Sequence, residues 1–245
     1  MKLEYYLEKI KNPIIDRESL LKVNAIKNIE DIMPLFTQDF IYKEYLYING
    51  LLRQRYLVEN HDEMLRDVDM DKISLSKDTR TIHFLGANGP VLDFSQFNCL
   101  EKIHIIGSRT VKNIILPKNG CVKALGITNM RALEVIENIT LQKEMRYLHF
   151  DYSLNITNFD FIKDLNKLVY LSFSNNKKLP EINFIDKESE LYFIDFFETN
   201  AIKYSSTLDI LKRLKNLKFL FISGTKKERL YLKQALPHVC MRDDI

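Results

Sequence analysis

Met145-Arg146-Tyr147-Leu148-His149-Phe150, Leu168-Val169-Tyr170-Leu171-Ser172-Phe173 and Leu191-Tyr192-Phe193-Ile194-Asp195-Phe196 are versions of one hexapeptide with apolar residues at positions 1, 4 and 6. Leu100-x-x-Ile103-x-Ile105 and Val122-x-x-Leu125-x-Ile127 precede them, and Leu217-x-x-Leu220-x-Ile222 follows. The first residues of these six copies lie 22, 23, 23, 23 and 26 positions apart. Thr79-x-x-Ile82-x-Phe84 and Leu236-x-x-Val239-x-Met241 are degenerate copies at either end. A fixed period of this length predicts a solenoid, in which each repeat buries its apolar face against its neighbours. One such hexapeptide arises easily by chance; eight in register do not.

The motif resembles the leucine-rich repeat, L-x-x-L-x-L-x-x-N, over about residues 79–245. The resemblance implies an α/β solenoid with a curved parallel sheet of about eight strands, a short or irregular convex side, and ligands bound on the concave face. The departure is at the ninth position, where the family favours Asn or Cys and only Asn176 conforms. Ser108, Ser153, Thr199 and Thr225 stand there instead and can still hydrogen-bond a turn. Ala87 and Met130 cannot, so irregular turns are expected after those strands. In the return halves, Phe159–Leu165 and Leu208–Leu214 have apolar spacing that suits a helical turn or two.

Residues 1–70 are read as an N-terminal capping region and 71–245 as the repeats. Leu3, Leu7 and Ile10 share a helical face that Asn12-Pro13 ends, and Asp16 is placed to cap a second helix carrying Leu20, Leu21 and Val23. Asn49-Gly50 sits between two tyrosine-containing runs, which favours a β-hairpin over 40–58; a helix is the alternative. Glu59 to Asp71 reads as a charged, solvated connector.

Alternation along each strand turns positions 3, 5 and 7 away from the core. The third position gives Thr81, Lys102, Ala124, Tyr147, Tyr170, Phe193 and Phe219, ending in an aromatic ladder. The fifth gives His83, His104, Gly126, His149, Ser172, Asp195 and Phe221; the seventh includes Asp151 and Phe197. With Tyr152, Tyr192 and Glu198 nearby, this face is expected to be exposed and to bind a partner: aromatics framed by carboxylates resemble a protein-binding hot spot. The bland alternative is that the rings only stabilise the sheet by packing across strands.

Thirty-six basic and 33 acidic residues leave a net charge of +3, which argues against nucleic acid as the partner. The N-terminal residues lack the apolar core of a secretory signal and no apolar run is long enough to span a membrane, so a cytoplasmic monomer is expected. Three cysteines make no disulfide framework; Cys99 and Cys121, in equivalent positions of consecutive repeats, are expected to be thiols. Neither His83 with His104 nor His238 with Cys240 has an evident third group for metal binding or nucleophilic catalysis. No nucleophile elbow, zinc-protease or phosphate-loop motif is present, and no cofactor or metal is expected. The expectation is a non-enzymatic protein-binding module, possible versions being an inhibitor or immunity-type protein that occludes a toxin or enzyme, and an effector or adaptor that recruits a host protein. An enzyme built on the N-terminal region is the rival class.

Overall fold

The computed structural model describes residues 63–69, 75–153, 155–186 and 189–241. The capping helices and the hairpin expected over 40–58 lie outside them. All described residues belong to one compact unit, Gln54–Ile245. It is an α/β fold dominated by a nine-stranded, wholly parallel sheet.

The strands of the large sheet are β1 (Glu63–Asp69), β2 (Thr81–Asn88), β4 (Lys102–Ser108), β6 (Ala124–Met130), β8 (Tyr147–Asp151), β9 (Tyr170–Ser172), β10 (Phe193–Phe196), β11 (Phe219–Ile222) and β12 (Cys240–Met241). They lie side by side in chain order. A second sheet joins β3 (Val91–Asp93), β5 (Asn113–Ile115) and β7 (Val135–Glu137), again in parallel.

Register follows the sequence repeat. Position 4 of one repeat pairs with position 4 of the next, as Ile103 with Leu125, Leu125 with Leu148 and Leu148 with Leu171. From β4 to β11 the position-3 N–H donates to the position-2 carbonyl of the preceding repeat, as Tyr147 does to Lys123 at 3.1 Å and Tyr170 to Arg146 at 3.1 Å. The last expected copy is out of register: Met241 pairs with Leu220, so it stands at position 4 rather than position 6, and the Cys240 N–H donates to the Lys218 carbonyl at 2.7 Å. Positions 4 and 6 point to one face because side chains alternate along a strand. Ile103, Ile105, Leu125, Ile127, Leu148, Phe150, Leu171, Phe173, Ile194 and Phe196 are all fully buried there.

The return halves close this core in two ways. In the early repeats Leu92, Ile114 and Ile136 project inward from the three-stranded sheet. Later, helical turns replace strands. Asp160–Asp164 forms a 3-10 turn, with Phe159 packed edge-on against Phe173 at 4.6 Å. Helix α1 (Thr207–Arg213) buries Ile210 and Leu211, and α2 (Lys226–Ala235) buries Leu232. Both helical segments read from the apolar spacing are present. The second sheet is a feature that the hexapeptide motif alone does not announce.

Two further expectations need correction. The supposed solvated connector contains β1, which pairs with β2 along Glu63↔Ile82 to Asp69↔Asn88. Its charges conceal the repeat: in this register Leu65 meets position 6 at Phe84, whereas Glu63 occupies position 4. The second concerns Ala87 and Met130. Instead of irregular turns, the strands continue through these residues, and both side chains are buried as core.

A left-handed residue recurs at the eighth position. Gly86, Gly107, Asn129, Tyr152, Asn175 and Glu198 all have positive φ, from 52° to 82°. Glycine and asparagine adopt this left-handed conformation readily; other L-residues incur about 1–2 kcal/mol through crowding of Cβ against the carbonyl. Tyr152 and Glu198 therefore sit in strained backbone where other repeats use Gly or Asn. Tyr152→Gly and Glu198→Asn are each expected to raise stability by about 0.5–1 kcal/mol in urea unfolding. Phe173→Ala, which empties a site at the centre of the core, should lower it by about 3–5 kcal/mol.

Candidate functional site

The face opposite the core carries the aromatic ladder as stacked rings. Centroids are 4.1 Å apart for Tyr147–Tyr170, 4.7 Å for Tyr170–Phe193 and 6.0 Å for Phe193–Phe219. The first two pairs are nearly parallel, at 9° and 12°. Like residues at one repeat position meet face to face because the register is constant from β2 to β11.

This face is not exposed as expected. Tyr147, His149, Tyr170, Phe193, Asp195, Phe219 and Phe221 are buried. A parallel sheet is characteristically buried on both faces. Tyr192, Asp151, Phe197 and Glu198 are half-buried, and Tyr152 alone of the twelve candidates is exposed, at 44%.

Beside the ladder runs a buried polar column. His83 and His104 stack at 4.6 Å, and burial holds the His83 pKa below its ordinary value. Further along, His149 Nδ1 lies 2.9 Å from Ser172 Oγ. Ser172 Oγ donates to Asp195 Oδ2 at 3.4 Å, Ser174 Oγ donates to the same oxygen at 2.9 Å, and the Phe197 N–H donates to Asp195 Oδ1 at 2.9 Å. The arrangement joins His, Ser and Asp, but the serine lies between the other two. A hydrolytic triad needs the histidine in the middle, where it can take the serine proton while the carboxylate orients it. Ser172 is also fully buried, so no substrate carbonyl can approach its hydroxyl. The chain of contacts is a structural network.

Its carboxyl is nevertheless perturbed. Burial pushes the Asp195 pKa up to about 6, against the opposing pull of its hydrogen bonds from Phe197, Ser174 and Ser172. Neither face of the sheet at this point offers the solvation an ionised carboxylate requires.

The accessible part of the site is the rim at the C-terminal ends of β8, β9 and β10. Tyr152, Asn175 and Glu198 occupy the eighth position of three consecutive repeats, all with left-handed backbone. Asn175 Nδ2 donates to Asp151 Oδ1 at 2.8 Å, and the Asn175 N–H donates to the Phe197 carbonyl at 2.8 Å. The Glu198 N–H donates to Ser223 Oγ at 2.8 Å, its carboxylate lies 3.7 Å from Lys177 Nζ, and Phe197 stacks on Phe221 at 4.9 Å. Asn175, Ser174 and Ser223 were not singled out in the sequence. Tabulating Gly and Asn at position 8, rather than Asn at position 9, exposes the rim's periodicity. The ninth position instead supplies turn bonds: Asn176 receives the Ser153 N–H and donates to the Phe150 carbonyl, while Ser108 receives the N–H groups of Thr110 and Val111.

Cys99 and Cys121 are thiols, partly buried; Cys121 donates to the Leu100 carbonyl at 3.1 Å, and burial raises its pKa. Among the described residues there is no group of three or more His, Cys, Asp or Glu placed to hold a metal. No described helix is long and apolar enough to cross a membrane. No protein-family model and no curated protein sequence matches this chain.

The Asp195 environment sets a pH dependence. Its folded pKa lies above the unfolded value of 3.8, so the folded chain binds the proton more tightly. Stability is retained below about pH 4 and is lost as pH rises through 6, by up to about 3 kcal/mol. Burial of neutral His83 acts oppositely, removing stability as pH falls below 6.5. Asp195→Asn is therefore expected to be more stable than the parent at pH 7.5 and to converge with it near pH 4 in urea titrations. A constant difference across that range would contradict the assignment.

Proposed function

We propose that this chain is a solenoid of the leucine-rich-repeat kind, and that it is a non-enzymatic module binding another protein through the rim at the C-terminal ends of its strands. The observation that carries the reading is Tyr152. It is an exposed aromatic side chain held in left-handed backbone, at a position where neighbouring repeats have Gly or Asn. Strain of this kind persists where function requires a particular side chain. An exposed tyrosine provides a large contact area with little loss of rotamer freedom.

Support for the repeat architecture comes from strands that follow one another in chain order, with constant register from β2 to β11. The rim suits binding because its backbone is already fixed by bonds from Asn175 and to Ser223, so little further ordering is needed on association. Asp151 and Glu198 flank the aromatic groups and supply orientation to a partner with basic groups. Within this reading the buried ladder is the scaffold beneath the contact surface. An inhibitor of the immunity type, seated on its target by this rim, is the specific form we favour; a cytoplasmic location is part of that proposal.

Capture of a partner from source lysate, read by mass spectrometry and then titrated with the isolated partner, tests the reading. The double variant Tyr152→Gly/Phe197→Ala is expected to weaken binding at least about tenfold. The single Tyr152→Gly should bind less well while being more stable, which separates a contact loss from unfolding. Undiminished binding by the double variant would reject the rim.

A further inference from the structure

A different surface, on α2, has an organisation that the rim reading leaves unused. Ten Lys and Arg residues against Asp209, Glu228, Asp243 and Asp244 fall within residues 201–245, although the whole chain has 36 and 33. The rest of the chain is thus net acidic and the C-terminal end strongly basic. Further up the sheet, charges are balanced from rung to rung: Glu101 pairs with Lys123 at 3.1 Å, Glu144 with Lys167 at 2.6 Å and Arg146 with Glu190 at 3.2 Å. Among the described residues no carboxylate pairs in this way with Lys212, Lys215, Lys218, Lys226 or Lys227.

Helix α2 concentrates this charge around an apolar pair. Thr225 caps it, its hydroxyl receiving the Glu228 N–H while the Glu228 carboxylate receives the Thr225 N–H. The one acidic residue of the helix is thereby committed to its N-terminus, and those hydrogen bonds hold its pKa down. Leu232 is buried against the core, with Arg229 and Glu228 beside it. At 100° per residue the opposite face displays Lys226, Leu230 and Gln234 in one row and Lys227 and Tyr231 in the next. Leu230 is 53% exposed and Tyr231 61%, more than any other large apolar residue described. Lys226, Lys227 and Lys233 stand around them, all exposed.

We propose that this face of α2 is a docking surface for an acidic protein segment carrying apolar side chains. An aliphatic and an aromatic anchor at the centre, with a charged rim, is the anatomy of a protein-binding patch. Nucleic acid would use the lysines but would gain nothing from Leu230. A membrane surface requires a broad apolar stripe, and two apolar side chains on a ten-residue helix do not form one. The surface is independent of the rim, and either can fail without the other.

The test uses the full chain and a fluorescein-labelled peptide in which Glu alternates with Leu and Phe, followed by fluorescence anisotropy. Controls are poly-glutamate of equal charge, vesicles containing phosphatidylserine, and a short DNA duplex. The peptide is expected to bind at least about fivefold more tightly than poly-glutamate. Lys226→Glu/Lys227→Glu should weaken it at least about tenfold, and Leu230→Ser/Tyr231→Ser at least about fivefold. All four positions are exposed, and unchanged circular dichroism melts confirm folding. The proposal is overturned if neither pair of substitutions weakens binding, if poly-glutamate binds as well as the peptide, if vesicles or duplex bind more tightly than the peptide, or if no peptide binding is seen.

Discussion

The register between strands, constant from β2 to β11, is the constraint on which the rest of the structure depends. Each repeat returns the chain to the same point about 4.8 Å along the sheet, so a residue at any position meets its counterpart in the next repeat. On the core side this produces buried columns of Leu, Ile and Phe. On the other side it produces columns of whatever the sequence repeats: rings on rings from Tyr147 to Phe219, imidazole on imidazole at His83 and His104. Such a column favours groups that tolerate self-contact. Aromatic rings do, and neutral imidazoles do; ionised carboxylates do not. Asp195 stands alone in its column, between Ser172 and Phe221.

The same constraint explains why the polar network and the accessible rim belong to different layers. Residues within the strands are hidden by their neighbours above and below. β8, β9 and β10 end before position 8, so in those repeats the left-handed residue stands beyond the end of the ladder. Its side chain is thereby brought to the edge of the sheet, where it is less constrained by stacking. Tyr152 and Glu198 are informative because the local conformation favours neither of them.

The arrangement of the strands was legible from the apolar residues at positions 1, 4 and 6, since burial of those columns is what makes the fold. The exposure of the opposite face was not, although a sign was available. Phe219-Leu220-Phe221-Ile222 is a continuous apolar run rather than an alternating one, as befits a strand buried on both sides. Strand β1 is not legible in the sequence because Glu63 stands at position 4, where the other repeats have an apolar residue. The three-stranded sheet was missed for a related reason: three residues such as Val91-Leu92-Asp93 are too short to show any period. Of the candidate site, the aromatic residues of the ladder do stand side by side, but their burial is not legible in any single hexapeptide.

Parallel sheets are ordinarily slow to assemble because partner strands lie far apart in sequence and the intervening loop must close first. Here each strand's neighbour is only about two dozen residues away, roughly a tenth of the chain length, a separation typical of helical bundles. The nine-stranded sheet can therefore grow one strand at a time, in the order of synthesis. Each newly completed strand serves briefly as an open edge until the next one emerges to cover it.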